Sequence, residues 1–144
     1  MNSTKVIANK INLDKLSIFN LGLKGGSVEK VWTRLLGSSS YDEGHGVATS
    51  SDGSVYITGI TEGALDDETN AGDGDAFLTK YNSEGEKVWT KLLGTSNYDI
   101  SRGVATSSDG SIYITGYTEG DLDSQTFAGE RDAFLTKYNS EGEK

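Results

Sequence analysis

Apolar residues in this chain fall in short clusters separated by turn formers, with no stripe at helical spacing. "GVATSS" (46–51, again at 103–108), "SVYITGI" (54–60) with "SIYITGY" (111–117), and "DAFLTKY" (75–81, 132–138) are rich in β-branched and aromatic residues. "KVWTKLLG" (87–94) and its near copy at 30–37 make a fourth such cluster. Asp52-Gly53 and Asp109-Gly110 separate the first two clusters and predict a two-residue type I′ hairpin turn; "NSEG" separates the last two. The pattern predicts an all-β chain of four-stranded antiparallel units. Alternation is blurred, because Val55-Tyr56-Ile57 and Val88-Trp89 put apolar side chains on both faces of a strand. Such sheets must be covered on both sides. Radially stacked sheets meet that demand, as the blades of a β-propeller do; a two-sheet sandwich or a β-solenoid is the alternative.

Self-comparison sharpens this. Residues 31–87 align with 88–144 without a gap, and 14 of the 57 pairs differ. The chain thus divides into residues 1–30, repeat 1 (31–87) and repeat 2 (88–144). "DAFLTKYNSEGEKVWTKLLG" followed by "GVATSSDGSIYITGYT" resembles the SBBP repeat of bacterial β-propellers. That resemblance implies four-stranded blades and an extracellular or cell-surface setting, with no assigned chemistry.

The phase of the repeats leaves blades incomplete. The cluster at Val31 reads as an outer strand with no blade of its own ahead of it, and repeat 2 reaches only its third strand near Tyr138. "KVIANKI" (5–11) and "LSIFNLGL" (16–23) read as two degenerate strands of a partial blade. Propellers need roughly four to eight blades. The expectation is a ring closed by several copies, with edge strands completed between chains; three chains would supply about six blades and four about eight.

Charge narrows the partners. Thirteen basic against 22 acidic residues give a net charge of −9, which repels phosphate backbones and anionic lipid, so neither nucleic acid nor membrane insertion is expected. No apolar stretch has the length of a membrane span or a cleavable signal peptide. Without cysteine there is no disulfide, thiolate metal site or cysteine nucleophile.

Twelve of the 14 differences between the repeats fall at 38–45 against 95–102 and at 60–74 against 117–131. In a four-strand meander these connections emerge on one side, so they form one variable loop face. Its candidate ligand residues are Tyr41, Asp42, His45, Tyr98, Asp99, Arg102, Phe127 and Arg131. The Tyr41-Asp42 and Tyr98-Asp99 pairs join an aromatic face to a carboxylate, a combination suited to a glycan. A protein ligand is the other candidate. In "DDETNAGDGD" (66–75) the oxygens of Asp66, Asp73 and Asp75 are weak candidates for Ca²⁺, although the EF-hand spacing is not met. Asp75 and Asp132 also stand where a carboxylate caps a loop. A single histidine and no nucleophile motif exclude a repeated catalytic triad. The expected role is a non-catalytic binding or scaffold module that associates with itself. A hydrolase or lyase using loop-face carboxylates, or a structural fragment without a ligand, are the alternatives.

Overall fold

The computed structural model describes residues 29–144, and the two candidate strands at 5–11 and 16–23 lie outside them. Packing separates Met1–Val31 from Trp32–Lys144, and the second unit holds every described strand. Seven strands follow in order: β1 (Asp42–Thr49), β2 (Val55–Thr61), β3 (Asp75–Tyr81), β4 (Lys87–Leu93), β5 (Asp99–Thr106), β6 (Ile112–Thr118) and β7 (Asp132–Tyr138). They form two antiparallel meanders, β1-β2-β3-β4 and β5-β6-β7, with no helix among the described residues. The chain is all-β, as its patterning requires.

The hairpin turns differ from the expected type. Ser50 and Ser54 close a loop in which the Gly53 amide donates to the Ser50 carbonyl at 3.0 Å, and Gly53 alone takes a positive φ, of 84°. Asp52 has no positive φ, so this is a type I turn followed by a left-handed glycine, not a type I′ turn. The Asp52 carboxylate braces this loop. It accepts from the Ser54 amide and hydroxyl, each at 2.9 Å, and from the Ser50 hydroxyl. These bonds hold its pKa down to about 2. The turn around Gly85 repeats the geometry, with φ at 75°.

The core lies between the two sheets. Register places Tyr56, Ala76 and Leu78 on one face of the first sheet, and Ile112, Ile114, Phe134 and Tyr138 on the facing side of the second. The innermost strands β1 and β5 approach closely because glycines meet there. A Cβ on Gly46 would come within 3.4 Å of the Gly103 Cα. At the outer end Trp89 of β4 lies 6.0 Å from the Tyr56 ring and donates through Nε1 to the Ser140 carbonyl at 3.2 Å. The first sheet therefore clasps the turn that follows β7 of the second.

Residues 31–37 do not form the outer strand expected of them. Their near copy β4 exists because β3 offers it a ladder; no described strand stands beside 31–37, and Leu35 is 97% exposed. The second sheet has three strands among the described residues.

Backbone contact inside each sheet makes one glycine per repeat indispensable. A Cβ on Gly59 would sit 1.8 Å from the Glu43 carbonyl oxygen, and one on Gly116 equally close to that of Ile100. Gly59→Ala and Gly116→Ala are each expected to cost at least about 3 kcal/mol, the upper end of ordinary overpacking. Gly44→Ala, where a Cβ meets nothing within 4 Å, should cost under about 1 kcal/mol. Denaturant melts of the three variants check the contrast.

Candidate functional site

Both variable segments do come together. The Asp99 amide donates to the Gly74 carbonyl at 2.7 Å, and Gly74 bridges Tyr98, so the β2–β3 loop of the first sheet abuts the linker into the second. Gly72 lies against Thr95 and Ser96 of the same linker. This junction is the centre of the loop face.

The carboxylates expected to greet a ligand turn inward instead. Asp42 Oδ2 accepts from the Ser38 amide at 2.7 Å and the Ser38 hydroxyl at 3.0 Å. Asp99, fully buried, repeats this with the Thr95 amide at 2.6 Å and hydroxyl at 2.8 Å. Both residues tie the linker to the first residue of an innermost strand, because strand alternation turns Asp42 and Asp99 away from the preceding tyrosines. The tyrosine–aspartate pairs thus share no surface. Asp75 and Asp132 do the corresponding work in the β2–β3 and β6–β7 loops, accepting from the Ala71 amide at 2.9 Å and the Ala128 amide at 2.7 Å.

What faces outward is aromatic and charged. Tyr41 is exposed and donates its hydroxyl to Glu43 at 2.6 Å, which raises the phenol pKa and lowers that of the carboxylate. Tyr98, 37% exposed, has its pKa raised chiefly by the charge of Glu62, with Asp73 and Glu119 adding to it. Tyr117 carries a cationic pair: the guanidinium of Arg131 lies 4.4 Å from its ring centroid and that of Arg102 5.9 Å. Arg131 also pairs with Glu119 at 2.9 Å. The loop face thus offers two accessible phenols with acidic neighbours and one stacked arginine cluster.

Three expected residues sit elsewhere. His45 is not a loop group: it falls on the β-bulge between Gly44 and Gly46, and its Nδ1–H donates to the Ser101 carbonyl of the second sheet at 2.7 Å. Its Nε2 lies 3.2 Å from Glu43. Phe127 lines the space beside β7 rather than the loop face. Asp66 reaches β4, binding Lys87 and the Thr90 hydroxyl.

The Ca²⁺ candidates therefore diverge. Asp66 is engaged with β4, Asp73 is exposed and Asp75 is buried under its loop. No group of three or more His, Cys, Asp or Glu able to hold a metal is present among the described residues. A residue that sequence reasoning passed over is Glu62, identical in both copies as Glu119, which sets the charge around the exposed tyrosine.

Asp75 carries a testable electrostatic cost. Burial pushes its pKa above the ordinary 3.8, the Ala71 amide opposes this, and the charge of Asp99 adds to the rise. The folded chain then holds this proton to higher pH than the unfolded chain, so stability falls as pH rises from 3.8 through the raised value. Asp75→Asn keeps the Ala71 contact through its side-chain carbonyl and removes the titration. The variant should gain stability relative to the parent between about pH 4 and pH 7, as measured by thermal melts. A difference that stays constant across that range contradicts the assignment.

Comparison with known proteins agrees with the geometry of the sheets. A family model for the SBBP β-propeller repeat matches residues 31–65 and 88–123, one match in each copy. The chain is also 28% identical over 123 residues to "Regulatory protein FlaEY" of Caulobacter vibrioides, an alignment covering 78% of this chain and 13% of that protein. The chain therefore spans a small part of that relative's length. Two antiparallel meanders of 57-residue period, each carrying the family's match, identify the two repeats of this chain as SBBP β-propeller repeats.

Proposed function

We propose that the chain is a non-catalytic binding and scaffold module that associates with further copies of itself into a propeller ring and displays the loop face. One observation carries this reading. The single interface between the two sheets pairs two different faces, and each recurs on the other sheet with apolar positions there open to solvent. Leu78 of β3 is fully buried in that interface, whereas its repeat-mate Leu135 of β7 is 72% exposed. In the opposite direction Val104 packs against the core, whereas its counterpart Val47 is 67% exposed beside half-buried Ile57.

The exposed faces are thus the two complementary halves of an interface the chain already makes. A head-to-tail contact between them is heterologous and closes when the rotation per blade divides the circle. Burying a leucine such as Leu135 contributes roughly 1.5–3 kcal/mol. With two sheets per chain, three or four chains fall within the range of roughly four to eight blades. The loop face, with Tyr41 and Tyr98 exposed among acidic groups, is the surface left for a glycan or protein ligand. The Caulobacter relative is named as a regulatory protein, which supports a role in binding.

Light scattering tests the reading. The parent chain should run as a multi-chain particle, favoured by added salt because the net charge of −9 opposes association. Leu135→Glu, at a position exposed in the single chain, should yield single chains that still fold, with the far-ultraviolet circular dichroism of the parent. A parent that is monomeric at all salt concentrations, or a variant that assembles as the parent does, overturns it.

A further inference from the structure

Among the described residues the second sheet has three strands, and the edge of β7 has defined chemistry. A groove of ≈ 630 Å³ runs along β7, lined among others by Leu122, Asp123, Phe127, Phe134, Thr136 and Lys144. In the first sheet the corresponding space is filled by β4. There Asp66 binds Lys87 and the Thr90 hydroxyl, and the hydroxyls of Thr79 and Thr90 meet at 2.9 Å, buried. Beside β7 the same acceptor and hydroxyl stand ready as Asp123 and Thr136, and Asp123 already binds Lys144, the counterpart of Lys87.

The chain also carries a strand that fits this position. Residues 32–36, "WTRLL", differ from "WTKLL" of β4 only at Arg34 against Lys91, and they are not in a strand. They are held at one end. A Cβ on Gly85 would touch the Trp32 ring at 2.8 Å, as one on Gly142 would touch Trp89 at 3.2 Å, and Arg34 Nε donates to the Gly85 carbonyl at 2.6 Å. Trp32 therefore stands toward the first sheet as Trp89 of β4 stands toward the second. Among the described residues no strand ladders with 32–36.

We infer that residues 32–36 of one copy add to β7 of a second copy as the fourth strand of its incomplete sheet. The inference rests on the self-association proposed above and names the segment and register through which it occurs. Transferring the β3–β4 pairing sets Thr33 opposite Thr136, Leu35 opposite Phe134 and Leu36 opposite Ala133. Thr33 then supplies the hydroxyl for Thr136 and Asp123. Leu35 leaves solvent for the Phe134 side, as Leu92 does beside Phe77. Because Trp32 keeps its seat on Gly85, one short segment joins two chains by backbone ladder and by packing together.

The absence of cysteine gives a clean experiment. Thr33→Cys chains are mixed with Thr136→Cys chains under mild oxidation, and Arg34→Cys chains with Thr136→Cys chains as the out-of-register control. Directly opposite residues in an antiparallel pair stand within disulfide reach, whereas a shift of one residue turns the side chain to the other face. The first mixture should give a disulfide-linked heterodimer in about tenfold excess over the second. Failure of the in-register pair to link, while light scattering still reports multi-chain particles, overturns the strand donation and leaves self-association standing. Equal linking in both mixtures overturns the register. Single chains throughout overturn both readings.

Discussion

Everything in this molecule depends on a sheet that is apolar on both of its broad faces. The face of the first sheet bearing Tyr56, Ala76 and Leu78 is dry only because Ile112, Ile114, Phe134 and Tyr138 lie across it. Neither surface is polar enough to be solvated cheaply, and two such sheets covering each other still leave two faces outside. A sandwich solves this by making its outer faces polar; this chain repeats the same greasy residues in the same places. The consequence is a structure whose interior contact is also a template for its exterior ones.

The polar groups serve that arrangement. Four aspartates at the first positions of β1, β3, β5 and β7 hold the connections entering those strands, each by accepting a backbone amide four residues earlier. They keep the loops at a fixed height so that Gly74 can bridge Tyr98 and the variable segments can meet. Their identity in both copies thus belongs to scaffolding. What remains for recognition is Tyr41 and Tyr98, one residue away and identical in both copies, and the arginine pair stacked on Tyr117, where the first sheet has His45, Gly74 and Ile60 instead.

Near-identical repeats show how far context overrides letters. "DAFLTKY" is buried almost throughout as β3, while as β7 its Ala133, Leu135 and Lys137 are open to solvent. "VWT" ladders as β4 and stays irregular at Val31. His45 and Arg102 hold equivalent bulges, yet only His45 spans two sheets, because only it has a second sheet beside it to receive the bond.

By itself the sequence determined the strands, their antiparallel order and the need for cover on both faces, since periodicity and β-branched content act locally and the repeat certifies them. It also marked where the two copies vary. Only the folded structure decided the turn type, a loop closed between Ser50 and Ser54 in which Asp52 accepts from both and Gly53 alone takes a positive φ. It alone turned Asp42 and Asp99 inward, parted Asp66, Asp73 and Asp75, and denied residues 31–37 a ladder. Each of those outcomes depends on which backbone donor or neighbouring strand stands within reach, a fact of three-dimensional proximity that the order of residues along the chain does not contain.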